Sequence, residues 1–429
     1  MSRIAPSRRG LLAAGGAGVA GVGITGLGIA EAAPKPPSTR AADQIPDAAR
    51  EPFFGPHQNG IATPNPMQGN TCFAALDLTA IDRSALIALF KTWTAASARL
   101  TSGRLAAAPT DPDHPFDSLD ALDLGPQRLT ITFGFGPELF GVAGKDRYGL
   151  ARHRPAALVD LPVFPGDQLD GPITGGAISV QASADHPQVA FHAVRELVRL
   201  GGDAVSVRWI QAGYATANRV KGTPRNLMGF KDGTMNPDVR DAATMNDHIW
   251  VGREGPRWMQ GGSYAVFRRI RIALEHWDQM KLRFQEQTFG RHKLSGAPLG
   301  GTHEFQPLPL TATDKDGNPV IPATAHARLA APAENAGAQM LRRAYNYSDG
   351  ASFVAERWPP WKQAMEYDAG LMFIAYQNDP RRSFIPMFEK MSRLDALNQF
   401  TTHVGSAIFA CPGGVRQGGY IGQDLLEST

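Results

Sequence analysis

The sequence predicts an α+β fold with antiparallel sheets, in which a β-α-β-β-α-β unit occurs twice. Short segments alternate between apolar and polar residues, and longer amphipathic segments with helix-capping signals lie between them. The same order of segments recurs in the second half of the chain. Without the targeting segment described below, about 400 residues remain, which is enough for two domains with cores of their own.

The first unit is predicted from strand and helix signals between residues 71 and 212. Asp82 can cap a helix that carries Leu86, Leu89, Phe90 and Trp93 on one face. A second helix begins with Pro187 at its first position, where proline is favoured. The strands are expected at residues 71–78, 129–135, 177–182 and 205–212, and the second helix at residues 187–200. That order is the split βαβ, or ferredoxin-like, motif.

The second unit is predicted to be a decorated copy of the first. Strands are expected at residues 263–272, 371–377 and 406–411, with helical stretches from about Leu274 and over residues 382–403. The region between about residues 290 and 370 is rich in glycine, proline and alanine and is predicted to be irregular; such long segments inside a domain are usually functional. With a boundary near residue 215, we expect ferredoxin-like domains over residues 56–215 and 216–429, the second with an insertion.

The first 32 residues are predicted to be a targeting segment. Arg8 and Arg9 precede a weakly apolar run, residues 11–29, that is rich in glycine and alanine. Small residues near position 32 suit a signal peptidase, so the pattern favours twin-arginine export to a periplasmic or extracellular location. A transmembrane anchor is the alternative, although many glycines and no bulky aromatic residue make this run a poor span. Residues 33–55 are expected to form a linker or N-terminal arm.

Composition excludes several classes of partner. Formal net charge is +3, and removal of residues 1–32 leaves +1, because three arginines and one glutamate are lost. A nearly neutral chain gives no reason to expect a nucleic-acid or membrane-surface partner. No apolar run after the targeting segment is long enough to span a bilayer. The two cysteines, Cys72 and Cys411, lie near opposite ends, which favours buried, unpaired thiols over a disulfide.

Three segments in a fixed order carry an acid, a histidine and an arginine. Residues 226–237 read Asn-Leu-Met-Gly-Phe-Lys-Asp-Gly-Thr-Met-Asn-Pro, residues 326–330 read His-Ala-Arg-Leu-Ala, and residues 341–347 read Leu-Arg-Arg-Ala-Tyr-Asn-Tyr. Alone, the first is compatible with a surface turn, since Asp-Gly is a favoured turn dipeptide, and spacing does not distinguish one histidine among eleven. Together they resemble the secreted, twin-arginine-exported branch of the dye-decolourising peroxidase family. Residues 57–61, 261–264, 290–298 and 371–377 extend the resemblance over nearly the whole chain.

This resemblance implies a haem b peroxidase made of two ferredoxin-like domains, with the haem in the C-terminal one. Asp232 would be the catalytic base, Arg342 the catalytic cation and His326 the iron ligand. The haem would be bound non-covalently, because the chain has no Cys-x-x-Cys-His motif. Leu371 and Phe373 would supply an apolar wall, although an ordinary buried strand would look the same. The cofactor-binding candidates are His326, Gly229, Phe230, Lys231, Gly233, Thr234, Gly262, Arg343, Leu371 and Phe373.

The chemistry of peroxide explains why these residue types are expected together. A base moves a proton from one oxygen of hydrogen peroxide to the other, and a cation stabilises the charge that develops as the O–O bond breaks. Glycines at 229 and 233 would let the backbone approach a porphyrin closely. Arg343, the second arginine of the pair, is expected in a salt bridge or on a haem propionate.

The partner of the histidine ligand stays open at this point. An iron-bound imidazole normally donates its other ring N–H to an acceptor that tunes the metal. Members of the resembled family often carry an acid near residues 397–401, where this chain has Gln399. Either Asp395 or a backbone carbonyl takes that position, or the imidazole is less electron-donating and the iron potential is higher.

Aromatic residues give a further hypothesis about bulky substrates. Dyes too large for a haem pocket would be oxidised at the surface, with electrons passing through tyrosine or tryptophan. The residues near the haem segments in sequence are Tyr345, Tyr347, Trp358, Trp361 and Tyr376. Packing in a core is the alternative explanation for each of them.

The expected function is peroxide-driven one-electron oxidation of dyes or phenols by an exported haem enzyme. An aspartate base implies an acidic optimum, because aspartate stays ionised below about pH 5. The alternative is a deferrochelatase-like protein that releases iron from haem for iron uptake. Haem carriage without catalysis is a third hypothesis, which an intact Asp232 and Arg342 argue against. The expected partners are hydrogen peroxide and a small aromatic reductant or dye, and assembly into a homo-oligomer is left open.

Overall fold

The computed structural model describes residues 50–79, 82–108, 116–216, 222–355 and 363–428, without the side chains of residues 353–364. The predicted targeting segment, most of the expected arm, and Trp358 and Trp361 lie outside this description. No helix in the described ranges has the length and apolar character needed to cross a bilayer.

The described residues form nine strands and eight α-helices. The strands are β1 (Asn70–Leu78), β2 (Thr130–Phe135), β3 (Ile178–Ala184), β4 (Val205–Tyr214), β5 (Ser263–Ile272), β6 (Leu341–Arg342), β7 (Tyr345–Ala355), β8 (Gln363–Gln377) and β9 (Thr401–Cys411). The α-helices are α1 (Arg83–Thr101), α2 (Pro187–Gly201), α3 (Ala242–His248), α4 (Leu274–Trp277), α5 (Leu282–Phe289), α6 (His326–Leu329), α7 (Phe384–Leu394) and α8 (Gln423–Leu426). Short 3₁₀ turns include residues 137–140, 257–259, 332–334 and 396–399.

The strands form one antiparallel sheet in the order β5-β9-β2-β3-β1-β4-β7-β8-β6, and an additional pairing joins β5 to β8. That pairing closes the sheet into a barrel of eight strands. The short β6 pairs with the end of β8, along the same edge that pairs with β7 and opposite the edge that pairs with β5. Two sides of the barrel are held by extensive ladders, β2-β3-β1-β4 and β9-β5-β8-β7. Each junction between these sides rests on a single pair, Phe135 with Ala410 and Tyr214 with Asn346.

Aromatic side chains fill the inside of the barrel. Phe73 stacks on Trp209 with ring centroids 5.3 Å apart and on Phe267 at 5.0 Å. Residues from β5, β8 and β9 complete this core. On the outer face of β1 and β3 lie α1 and α2, whose apolar faces pack against Ala74 and Val180. Because strand residues alternate between faces, β1 gives Phe73 and Ala75 to this inner core and Ala74 and Leu76 to the outer layer.

The first half agrees closely with the prediction from sequence. Asp82 caps α1 by accepting a hydrogen bond from the Ala85 amide, and Leu86, Leu89, Phe90 and Trp93 are buried. Pro187 stands at the start of α2. The predicted strands and helices are confirmed with ends that differ by at most two residues. Cys72 and Cys411 are both buried and unpaired, as expected.

The second half differs from the prediction in several places, and the strands expected at residues 371–377 and 406–411 begin earlier, at Gln363 and Thr401. The helical stretch expected over residues 382–403 ends at Leu394, and β9 already begins at Thr401. The helix ends before Asp395, whose backbone is extended. The Asp395 side chain caps the following 3₁₀ turn by accepting a hydrogen bond from the Leu397 amide. β7 lies in the region that was expected to be irregular; a register shift between Ser348 and Ala351, around Gly350, breaks the alternation that would have revealed it.

Candidate active site

A deep cavity lies on the outer face of β5 and β8, covered by α6, α7 and the loops before α3 and β6. About 1560 Å³ of empty space lies within it, a volume that includes open solvent at its mouth. The alternation of side chains along β8 explains where the cavity lies. Met372 and Ile374 belong to the barrel core, whereas Leu371 and Phe373, on the other face of the strand, line the cavity. Its apolar lining also includes Met228, Ile270, Ile272, Phe289, Met340, Phe384, Met387, Phe388, Met391 and Leu397.

Most of the residues predicted for the site meet in this cavity. Its lining contains both predicted catalytic residues, Asp232 and Arg342, together with the predicted iron ligand His326. These residues lie on a loop, on β6 and on α6, and are far apart in the chain. The other predicted residues in the lining are Lys231, Gly233, Thr234, Leu371 and Phe373.

His326 is the first residue of α6 and is oriented by a carboxylate. Its Nδ1 lies 2.6 Å from Oδ2 of Asp395. A carboxylate accepts hydrogen bonds, so in the neutral imidazole Nδ1 carries the proton and Nε2 keeps its lone pair. Asp395 is buried, and its Oδ1 accepts from the Leu397 amide at 2.9 Å. The two segments are also joined by a hydrogen bond from the Ala396 amide to the Thr324 carbonyl, 3.0 Å long.

The structure therefore favours Asp395, among the alternatives left open by the sequence, as the acceptor for His326. Gln399 is exposed and lies at the end of the following 3₁₀ turn. A histidine whose distal nitrogen is tied to a carboxylate is a stronger electron donor to a metal.

Asp232 lies at the end of a tight hairpin loop. The Asn226 amide donates to the Phe230 carbonyl at 3.0 Å, and the Asp232 amide donates to the Pro224 carbonyl at 2.9 Å. Gly229 and Gly233 have φ of 86° and 90°, which a side chain would strain. Among the described residues the Asp232 carboxylate takes part in none of the ion pairs, so it is available as a base.

Arg342 is held in place by Asn236, a residue to which the sequence assigned no function. Oδ1 of Asn236 accepts from the Arg342 backbone amide at 3.1 Å and from Nε at 3.3 Å, and Nδ2 donates to the Arg342 carbonyl at 2.7 Å. Asn236 lies in the same turn as Asp232, because its amide donates to the Gly233 carbonyl. One side chain therefore fixes the arginine relative to the loop that carries the acid.

Four predicted cofactor-binding residues do not line the cavity. Phe230 lies behind the wall, stacked on Phe289 with centroids 3.9 Å apart. A Cβ on Gly229 would come 2.6 Å from Cε of Lys293, and one on Gly262 would come 2.2 Å from the Cys411 carbonyl oxygen. These two glycines therefore permit close packing of protein on protein.

Arg343 also points away from the cavity. It is buried, and it donates from Nη1 to the Pro64 carbonyl and from Nη2 to Oε1 of Gln68, both at 3.1 Å. Arg342 and Arg343 are consecutive in extended backbone, so their side chains leave on opposite faces. The expected salt bridge or propionate contact is replaced by hydrogen bonds to the N-terminal loop.

A buried polar network forms another part of the wall. Arg268 forms an ion pair with Asp167 and donates from Nε to Nδ1 of His403 at 3.1 Å and from Nη1 to Ser406 at 2.9 Å. Burial, and then the nearby Arg268 guanidinium, lower the pKa of His403 well below its usual value. His403 is therefore a neutral acceptor here.

The candidate electron-transfer tyrosines lie in the barrel core instead of the cavity wall. Tyr345, Tyr347 and Tyr376 are all buried. The Tyr376 hydroxyl donates to Gln181 at 2.6 Å, and the Arg269 guanidinium lies 4.3 Å from the centre of the Tyr347 ring. The surface oxidation route stays a prediction.

Within the described ranges, one other cluster has the side chains of a metal site. Asp117, His192 and Glu196 offer ligand atoms within 4.8 Å of one another. Their oxygens are already used, since Asp117 accepts from the Ala106 and Leu119 amides and Glu196 accepts from Arg199 and the Ser118 amide. The cluster is explained as an internal brace between α2 and the loop before β2.

The cavity fits the haem that the sequence resemblance implies. A flat apolar ligand suits its lining, and His326 offers one ring nitrogen with a free lone pair. The reaction with peroxide also requires a base and a cation that do not form an ion pair with each other. Asp232 and Arg342 meet this requirement.

Comparisons with known proteins agree with this interpretation. Residues 58–215 match the family model described as Dyp-type peroxidase, N-terminal, and residues 223–416 match Dyp-type peroxidase, C-terminal. A deferrochelatase of Escherichia coli K12 is 37% identical over 397 residues, covering 89% of this chain and 89% of that protein. A deferrochelatase of Yersinia pestis is 37% identical over 389 residues, covering 88% and 85%.

Solved structures are similar over the same region. Ferric DtpA from Streptomyces lividans is 41% identical, with a TM-score of 0.79, covering 89% of this chain and 99% of that one. A DyP-type peroxidase from Streptomyces coelicolor is 42% identical, with a TM-score of 0.79 and the same coverage.

We expect Asp395→Asn to raise the reduction potential of iron bound at His326 by about 60 mV or more, equivalent to a tenfold change in a one-electron equilibrium. A neutral amide is a weaker acceptor for the Nδ1 proton than a carboxylate, so the imidazole donates less electron density to the iron. A spectroelectrochemical titration measures the potential. The exposed Gln399→Ala is the control and should leave it unchanged; equal potentials for wild type and Asp395→Asn would contradict this assignment.

We expect Asn236→Ala to slow the reaction with hydrogen peroxide by about 10- to 100-fold, because small displacements of a catalytic group have effects of this size. Oxidation of the reductant should be much less affected, since within the described part of the chain Asn236 bonds only to Arg342 and its own turn. Stopped-flow absorbance separates the two steps. Asn398→Ala is a matched control, since Asn398 also lines the cavity but bonds to carbonyls of α7; an equal loss in both variants would rule out a specific effect on Arg342.

Proposed function

Because this chain belongs to the Dyp-type peroxidase family and is a haem peroxidase, we propose that it uses hydrogen peroxide to oxidise dyes or phenols by one-electron steps at acidic pH. The single observation that carries this proposal is the meeting of His326, Asp232 and Arg342 in one cavity. Each turnover would reduce one hydrogen peroxide to two waters and oxidise two reductant molecules by one electron each.

The residues of the chain have separate tasks in this proposal. Haem, when bound, supplies the redox centre that exchanges electrons with peroxide and reductant. His326 would hold the iron, with its ring fixed by Asp395. Asp232 would take the proton from one peroxide oxygen and return it to the other, and Arg342 would stabilise the negative charge of the departing oxygen.

We further propose that the fold arose from two ferredoxin-like units, with the haem in the C-terminal one. The strand orders β4-β1-β3-β2 and, with the two-residue β6 left out, β9-β5-β8-β7 support this, since each places its first and third strands in the centre. All predicted iron-side residues lie after residue 216, and the two family matches divide the chain near the same place. Domains over residues 56–215 and 216–429 follow from this proposal.

Export by the twin-arginine pathway is proposed from sequence alone. Arg8 and Arg9, the weakly apolar run and the small residues near position 32 support it. This route suits a protein that acquires a cofactor before export, and it would place the enzyme in the periplasm or outside the cell.

We expect the pH dependence of the peroxide reaction to follow the identity of the base. Aspartate remains ionised down to about pH 4, whereas histidine is protonated below about pH 6.5. In Asp232→His, the reaction should therefore be lost as pH falls through about 6.5, while wild type stays active near pH 5. In Asp232→Asn, the rate should fall by about 10²- to 10⁴-fold at every pH. Stopped-flow rates across the acidic range decide this, and a wild-type optimum at alkaline pH would contradict an aspartate base.

Release of iron from haem is a second candidate function, favoured by the deferrochelatases among the relatives. The products distinguish the two. A peroxidase returns intact haem after many turnovers, whereas iron release yields free porphyrin and iron. Extraction of the pigment after incubation, followed by chromatography, would identify which product accumulates.

A further inference from the structure

His403, on β9, presents a hydrogen-bond donor to the cavity that the proposed reaction does not use. Arg268 donates from Nε to Nδ1 of His403 at 3.1 Å. Nδ1 therefore carries no proton, and in the neutral imidazole the proton lies on Nε2. Among the described residues, none forms a hydrogen bond with Nε2. His403 lines the cavity and keeps part of its surface accessible there, so the Nε2–H group is available to a ligand.

The His403 ring is held from two sides. Arg268, which binds Nδ1, is fully buried, forms an ion pair with Asp167 and donates to the Ser406 hydroxyl at 2.9 Å. The Phe388 ring lies 4.7 Å from the imidazole, centroid to centroid. The direction of the Nε2–H bond is therefore fixed before a ligand binds, which lowers the entropy cost of binding.

The charges around His403 indicate that the ligand is uncharged at this end of the cavity. Asp167 balances the charge of Arg268. Burial, and then the Arg268 guanidinium, lower the pKa of His403 well below its usual value, so the imidazole adds no positive charge. An anion would lose its hydration here without gaining a partner of opposite charge. A neutral ether, carbonyl or phenol oxygen accepts from an N–H group without that loss.

The side chains beside His403 indicate that the ligand is aromatic. Phe384 stacks on Phe388 with ring centroids 5.3 Å apart, and the Phe373 ring lies 6.0 Å from that of Phe384. These three rings line the cavity together with Met387. Aromatic rings attract a further ring in stacked or edge-to-face arrangements, and a thioether also packs favourably against a ring.

We propose that this end of the cavity is a subsite for an uncharged aromatic molecule, one of whose oxygens accepts a hydrogen bond from Nε2 of His403. His403 then selects among reductants and favours neutral rings that carry an oxygen, such as methoxyphenols. The inference rests on the proposed function, because it takes the ligand to be the reductant. It also requires that bound haem leave this end of the cavity open.

Two ligands of the same shape test the hydrogen bond. Anisole has an ether oxygen where ethylbenzene has a methylene group, and the two molecules are otherwise alike. The haem-loaded wild-type protein should bind anisole about 2- to 10-fold more tightly than ethylbenzene, the range for one neutral hydrogen bond. Isothermal titration calorimetry measures both affinities in the absence of peroxide, so the result does not depend on turnover.

Variants separate the donor from the network that holds it. His403→Phe keeps an aromatic ring but has no N–H group, so it should abolish the preference for anisole and raise the KM for 4-methoxyphenol by a similar factor. His403→Gln, whose amide can accept from Arg268 and also donate, should keep part of the preference. Ser406→Ala is the matched control, because it removes another hydrogen bond of Arg268 and leaves the Nε2–H group in place. In that variant the preference should remain.

Three results would overturn the proposal. Equal affinities of the wild-type protein for anisole and ethylbenzene would show that Nε2–H does not select the ligand. A preference that survives in His403→Phe, or that is lost equally in Ser406→Ala, would show that His403 acts only through the packing of the wall. Binding to the haem-free protein alone would show that haem fills this end of the cavity. Failure of the proposed peroxidase function is detected separately, as absence of peroxide-dependent turnover in the wild-type haem protein.

Discussion

The alternation of side chains along β5 and β8 is the constraint on which the rest of the structure depends. Each strand gives one set of residues to the aromatic core of the barrel and the next set to the cavity, as Phe267 and Arg268 illustrate. Because the two strands pair directly, Arg268 opposes Phe373 and Ile270 opposes Leu371. The floor of the cavity is therefore part of the barrel wall. A shift of the strand register by one residue would disrupt both the barrel core and the cavity lining.

The groups to which the proposed function assigns the chemistry are oriented by short hydrogen-bonded links. Asp395 fixes His326 from one side, and Asn236 fixes Arg342 to the loop of Asp232 on the other. A loop, a strand and a helix are thereby held in one arrangement, as proton transfer and charge stabilisation would require.

Sequence reasoning predicted the elements with strong local signals. Asp82 as a cap, Pro187 at a helix start and the alternation over residues 263–272 were sufficient for their elements. The proposed catalytic and iron-binding residues were predicted through the resemblance to a known family, because nothing in the local sequence distinguishes His326 from the other histidines. Some residues lie in the predicted segments but do not line the cavity, namely Gly229, Phe230, Gly262 and Arg343. Which residues of a segment face the cavity depends on tertiary packing. The importance of Asn236 follows from hydrogen bonds to Arg342 across 106 residues of sequence, which spacing cannot show.

The most direct test of this account is an absorption spectrum of the purified protein, before and after one equivalent of hydrogen peroxide, for wild type and His326→Ala. The account predicts a Soret band in wild type that changes on addition of peroxide and is lost or strongly altered in the variant. Absence of a Soret band in wild type after reconstitution with haem, or an unchanged spectrum in His326→Ala, would contradict it.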